Sequence, residues 1–121
     1  MTEDDVVQEL RQALAPAGQI REQRMFGGTG FMLNGNMVAG TFRQGLLLRV
    51  GEERQARALK LAGARQMEMG GRLMQGYVYL EPTALSRKAI AAGLPLALAF
   101  VGTLPAKAAK GAAPGRKTRR K

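Results

Sequence analysis

The sequence predicts an α+β domain of two layers, with helices packed on one antiparallel sheet of about five strands. Three observations carry that expectation. Apolar residues recur at helical spacing near both ends of the chain, and the stretch between them breaks into short segments punctuated by glycine and asparagine. With 121 residues and 45% apolar content, the chain is also the right size to close a single two-layer core.

Val6, Val7, Leu10, Ala13 and Leu14 mark a first helix over residues 3–15. Thr2 and Asp5 are spaced as a capping box, Pro16 and Gly18 supply the stop, and Arg11 and Gln12 fall on the wet face. From Ile20 to Val50 the pattern is that of a meander. Asn34-Gly35 tolerates the positive φ angles of a type I′ turn, so residues 29–33 should pair with residues 36–42. Gln44-Gly45 is expected to make the next turn. In the strand that follows, Leu46, Leu48 and Val50 face the core while Leu47 and Arg49 face away.

Residues 52–62 read as a second helix with Ala56, Leu59 and Ala62 inward and Gly63 at its C-cap. Residues 66–69 and 76–80 read as two further strands joined across Gly70-Gly71-Arg72, with extended backbone at Leu73 and Met74 as an alternative, and Tyr77 and Tyr79 share a face. Pro82 and Thr83 open a helical region carrying Leu85, Ile90, Leu94, Leu98 and Val101 as its apolar stripe. The break at Gly93-Leu94-Pro95 fits two short helices or one kinked helix. The domain is expected to span residues 1–105. Residues 106–121 lack any apolar period and are expected to form a disordered basic tail.

Composition excludes several chemistries. With no cysteine and no histidine, the chain has no thiolate nucleophile, no disulfide and no imidazole for a triad or a metal cage. No cofactor is expected. The start, Met-Thr-Glu-Asp-Asp, is acidic where a secretory signal is basic, so a cytoplasmic location and no membrane segment are expected. The uncharged run over residues 89–106 is broken by Gly93, Pro95, Gly102 and Pro105, which favours a buried helix over a span. The net charge of +10 is concentrated at the end, where seven basic residues and no acid follow Pro105.

Gly27-Gly28-Thr29-Gly30 invites comparison with phosphate-binding loops, but no Gly-Lys-Ser or Gly-Lys-Thr follows and a strand, not a helix, comes next. These glycines are therefore expected to shape backbone. Asp4-Asp5 and Glu52-Glu53 fall in first helical turns, where they favour the helix dipole rather than acid–base work. Arg21, Arg24, Arg43, Arg49 and Arg72 are either surface charges or a converging anion patch, Arg72 having the better claim because glycines flank it. Met25, Met32, Met37, Met67, Met69 and Met74, with the two tyrosines, are expected to pack a core rather than line a ligand pocket. Lys107, Lys110, Arg116, Lys117, Arg119, Arg120 and Lys121 are the candidate phosphate contacts, salt-sensitive and sequence-indifferent, with solubility as the competing reading.

Together, Arg24-Met25-Phe26-Gly27-Gly28-Thr29-Gly30-Phe31, Asn34-Gly35-Asn36-Met37 and Leu46-Leu47-Leu48-Arg49-Val50 resemble the N-terminal domain family of TfoX, also called Sxy. Gly71-Arg72-Leu73-Met74-Gln75-Gly76-Tyr77-Val78 is similar to a later segment of that family, and residues 97–107 to its closing helix. The resemblance implies an antiparallel α+β domain of secretion-chaperone-like arrangement. It also implies a link to competence for DNA uptake, in which members are transcriptional co-regulators rather than enzymes. This chain departs from full-length regulators in having a basic tail where they carry a second domain, and its last helix lacks a tryptophan found in many relatives.

The expected function is a non-enzymatic regulatory or adaptor module that binds an unidentified protein partner, with weak electrostatic contact to nucleic acid through the tail. The alternative is direct, sequence-indifferent DNA or RNA binding. Homodimerisation through a sheet edge is a further option.

Overall fold

The computed structural model describes residues 1–25 and 27–106. Phe26 and the seven tail lysines and arginines from Lys107 to Lys121 lie outside the described residues. The fold is α+β. Six strands form one wholly antiparallel sheet in the order β1-β2-β3-β4-β6-β5. They are β1 (Ile20–Met25), β2 (Gly28–Leu33), β3 (Asn36–Phe42), β4 (Gly45–Arg49), β5 (Ala64–Met69) and β6 (Arg72–Leu80). Among the described residues the α-helices are α1 (Glu3–Leu14), α2 (Glu52–Ala58) and α3 (Arg87–Val101), with short 3₁₀ turns at Ala15–Ala17 and Pro82–Ala84.

Helix α1 starts at the expected box: the Thr2 hydroxyl accepts from the Asp5 amide (3.1 Å) and the Asp5 carboxylate accepts from the Thr2 amide (3.0 Å). Its buried side, Val6, Val7, Leu10 and Leu14, meets the sheet. Helix α3 is one continuous helix with Pro95 on its exposed side, and it buries Ile90, Gly93, Leu94, Ala97 and Val101. Ser86 caps it, accepting from the Ala89 amide at 3.0 Å. Phe31, Val38, Leu46, Leu48, Val78 and Leu80 close this core from the sheet, all fully buried.

The described residues hold a sixth strand where about five were expected. β1 is an edge strand whose polar residues interrupt any period of two, so its pairing with β2 is a matter of backbone and not of alternation. The second helix is also shorter than expected, ending at Ala58, and Ala56 and Ala62 are exposed. Gln55 turns inward to accept from the Gly76 amide, and Ala58, three residues on, shares that inner side. In the β2–β3 hairpin, Phe31 pairs with Ala39 and Met32 with Met37, so Val38 is an inserted residue. That bulge turns both Val38 and Ala39 into the core opposite the Phe31 ring.

Two tight turns match expectation and one does not. Asn34-Gly35 and Gly70-Gly71 both adopt positive φ at each position. The β3–β4 turn is Arg43-Gln44, not Gln44-Gly45, and it has φ of 48° and 68° without a glycine at either place. Gly45 already lies in β4, where a Cβ would collide with the Tyr79 phenol and the Leu80 carbonyl. The turn holds because the Tyr79 hydroxyl donates to the carbonyls of Phe42 (2.9 Å) and Arg43 (3.2 Å). Gln44→Gly should raise stability by roughly 0.5 kcal/mol, the relieved strain less the freedom glycine gains in the unfolded chain. Chemical denaturation checks this, and a lower midpoint would contradict it.

Candidate functional site

Strand alternation divides the sheet into two unlike faces. One is covered by the helices. The other carries a second apolar cluster, Leu47, Met67 and Tyr79 at its buried centre with Met37, Phe42, Met69, Met74 and Tyr77 packed around them. Among the described residues no helical side chain belongs to this cluster. The Met67/Met69 and Tyr77/Tyr79 alternation thus marks a buried side, as expected, but it is the side turned away from the helices. Met32 pairs with both Arg21 and Met37 on this face, and the Met25 thioether lies over Gly30. Six of the seven methionines therefore share it, Met1 being the exception.

Arginines lie over the aromatic rings. The Arg43 guanidinium is 5.2 Å from the Phe42 centroid and that of Arg65 is 4.8 Å from Tyr79. Arg49 is 5.8 Å from Tyr77 and 5.6 Å from Phe100, at the margin where α3 ends. Phe42 and Tyr79 meet edge to face, 6.2 Å apart at 83°. Burial, and secondarily the nearby Glu81 carboxylate, pushes the Tyr79 phenol above its ordinary range. Its hydroxyl therefore stays a protonated donor to the turn.

Charge on the open face is one-sided. Arg21, Arg49, Arg65 and Arg72 fall on it by strand register, and Arg43 stands at its margin. Of the nine acids in the chain, Glu81 adjoins it and is bridged to Arg65, whose guanidinium it holds above its usual range, with a smaller contribution from Glu68. Glu22 and Arg24 alternate with Arg21 onto the helical side, where Glu22 bridges Arg11. Glu68 alternates with Met67 and Met69. The expected arginine patch thus gains Arg65, which no sequence pattern had singled out, and loses Arg24. Arg72 is exposed at the tip of the β5–β6 hairpin.

The glycine motif is built into the sheet. A Cβ on Gly28 would run into the Thr41 carbonyl, and the neighbouring Thr29 amide donates to the Thr41 hydroxyl at 2.8 Å. The same hydroxyl donates to Glu3 of α1 (3.2 Å), tying the motif to the first helix. Gly27 has φ of 75° at the turn into β2. Gly76, with φ of 84°, forms a bulge whose carbonyl accepts from both Val50 (2.9 Å) and Gly51 (3.0 Å), so it sets where α2 begins and presents Tyr77 on the open face. Asp4-Asp5 and Glu52-Glu53 lie in the first turns of α1 and α2. Among the described residues no group of three acids is gathered to hold a metal, and no helix is long and apolar enough to cross a membrane.

These features define a two-layer α+β domain with one sheet face covered by helices and one that, among the described residues, carries no helix and sets half-buried apolar side chains inside a collar of arginine. The TfoX N-terminal domain matches residues 12–95, and the chain belongs to that family. No curated protein and no solved structure matches the chain.

Proposed function

We propose that this chain is a non-enzymatic regulatory or adaptor module that works by binding protein, with its basic terminal segment adding weak, salt-sensitive contact to nucleic acid. The observation that carries the reading is the face without helices: half-buried methionine and aromatic side chains ring a buried centre there, with fixed positive charge around them, a surface suited to contact and not to bond-making. A cytoplasmic setting and a role in competence or transcription control, which the family resemblance implies, belong to the same proposal.

The second reading is direct nucleic-acid binding by the fold, favoured by five arginines with few carboxylates near them, Glu81 being already bridged. Affinity capture and salt titration separate the two, using the full chain and a chain ending at residue 106. Specific protein partners should be retained by both forms, while retention on DNA at low salt should collapse on truncation. Unchanged DNA affinity with a steep salt slope in the shortened chain favours the second reading. Absence of any specific protein partner removes the first.

A further inference from the structure

Resting on the protein-binding reading, we infer that the open sheet face is the docking surface and that its occupant is an acidic amphipathic segment of a partner protein. Such a segment would set apolar anchors on the half-buried Met37, Met69 and Met74 and its carboxylates against Arg43, Arg49 and Arg65.

The occupant follows from charge and side-chain chemistry. Thioethers are unbranched and polarizable, and a methionine-rich surface repacks around apolar side chains of varied shape. Surrounding that surface are guanidiniums, which pair carboxylates in bidentate geometry and stay charged at any physiological pH. An acidic helix or strand with one apolar side satisfies both at once.

Other occupants fit less well. A second copy meeting face to face would set arginine against arginine, because an isologous contact brings each patch onto itself. The chain's own terminal segment carries seven basic residues and no acid, so it shares the sign of the face. Single-stranded nucleic acid needs open aromatic rings for stacking. Here Tyr79 is buried with its hydroxyl bonded to the β3–β4 turn, and Phe42 and Tyr77 are half-buried beside guanidiniums.

The test uses the full chain, isotope-labelled for amide NMR. It is titrated with a helical peptide of leucine on one side and glutamate on the other, with the same peptide bearing lysine for glutamate, and with oligodeoxythymidine. The glutamate peptide should shift amides of β3, β4, β5 and β6 whose side chains face away from the helices. Arg49→Glu and Arg43→Glu should each weaken it about tenfold, while Arg57→Glu on α2, with the same charge change, should stay within about twofold. Arg43 sits on an exposed turn, so its variant keeps the test valid if Arg49→Glu fails to fold.

Equal binding of the lysine peptide, shifts confined to the helices, displacement by the oligonucleotide, dimerisation that buries the face, or no binding would each overturn the inference. In affinity capture, partners retained equally by wild type and both arginine variants would sink this surface while leaving the adaptor reading intact. No partner for any form would sink that reading instead.

Discussion

Gly28→Ala should lower the unfolding free energy by about 3 kcal/mol, at the upper end of what overpacking normally costs. The methyl group has nowhere to go: it meets the backbone oxygen of Thr41 on the neighbouring strand, and backbone in the middle of a sheet cannot rotate aside. It also disturbs the bond from the Thr29 amide to the Thr41 hydroxyl, and through that hydroxyl the tie to Glu3. Two neighbours calibrate the result. Gly27→Ala places its methyl in open space and should cost only the strain of a positive φ, about 1 kcal/mol. Gly30→Ala strikes the far end of the flexible Met25 side chain, which can swing away, so its cost should be the smallest. Urea denaturation of the three variants checks the order, and a Gly28 variant as stable as the Gly30 variant would show that the motif is not held by this contact.

Phe31→Ala should cost about 3–5 kcal/mol, a large share of the 5–15 kcal/mol that holds a domain of this kind together. Its ring is fully buried and is the largest side chain at the centre of the helix-covered core. The bulge opposite places Val38 and Ala39 against it, a large residue facing two small ones, and neither can grow to fill the space left by its loss. Leu73→Ala, at a side chain 60% exposed, should stay within about 0.5 kcal/mol. Thermal melts followed by circular dichroism give both values, and similar losses at the two sites would contradict the division into core and surface.

The helical stripes and the Asn34-Gly35 turn were legible because each depends on a local rule: spacing in one case, tolerance of positive φ in the other. Arg43-Gln44 was not legible. Its conformation is enforced by Tyr79, far along the chain, so no dipeptide preference announces it. β1 was not legible for a related reason, since an edge strand with Arg21, Glu22 and Arg24 exposed has no alternation to read.

The open face was half visible. Met67/Met69 and Tyr77/Tyr79 declared a buried side, but a period of two does not say which layer that side meets. Arg65 gave no signal, because its importance arises only once Tyr79 and Glu81 are brought beside it. The scarcity of carboxylates on this face could be read only after register had assigned each strand residue to a side.

Every neighbouring pair in the sheet but one is a hairpin between strands consecutive in the chain; the exception is the β4–β6 ladder. Leu48 and Val78 cross that seam in the upper core, and Leu47 and Tyr79 cross it below. The hairpins on either side can zip early from local contacts, whereas this ladder must wait for a longer loop to close. Once it closes, both apolar layers are completed together. Pulling it apart floods both with water, so the molecule melts as one cooperative unit instead of fraying hairpin by hairpin.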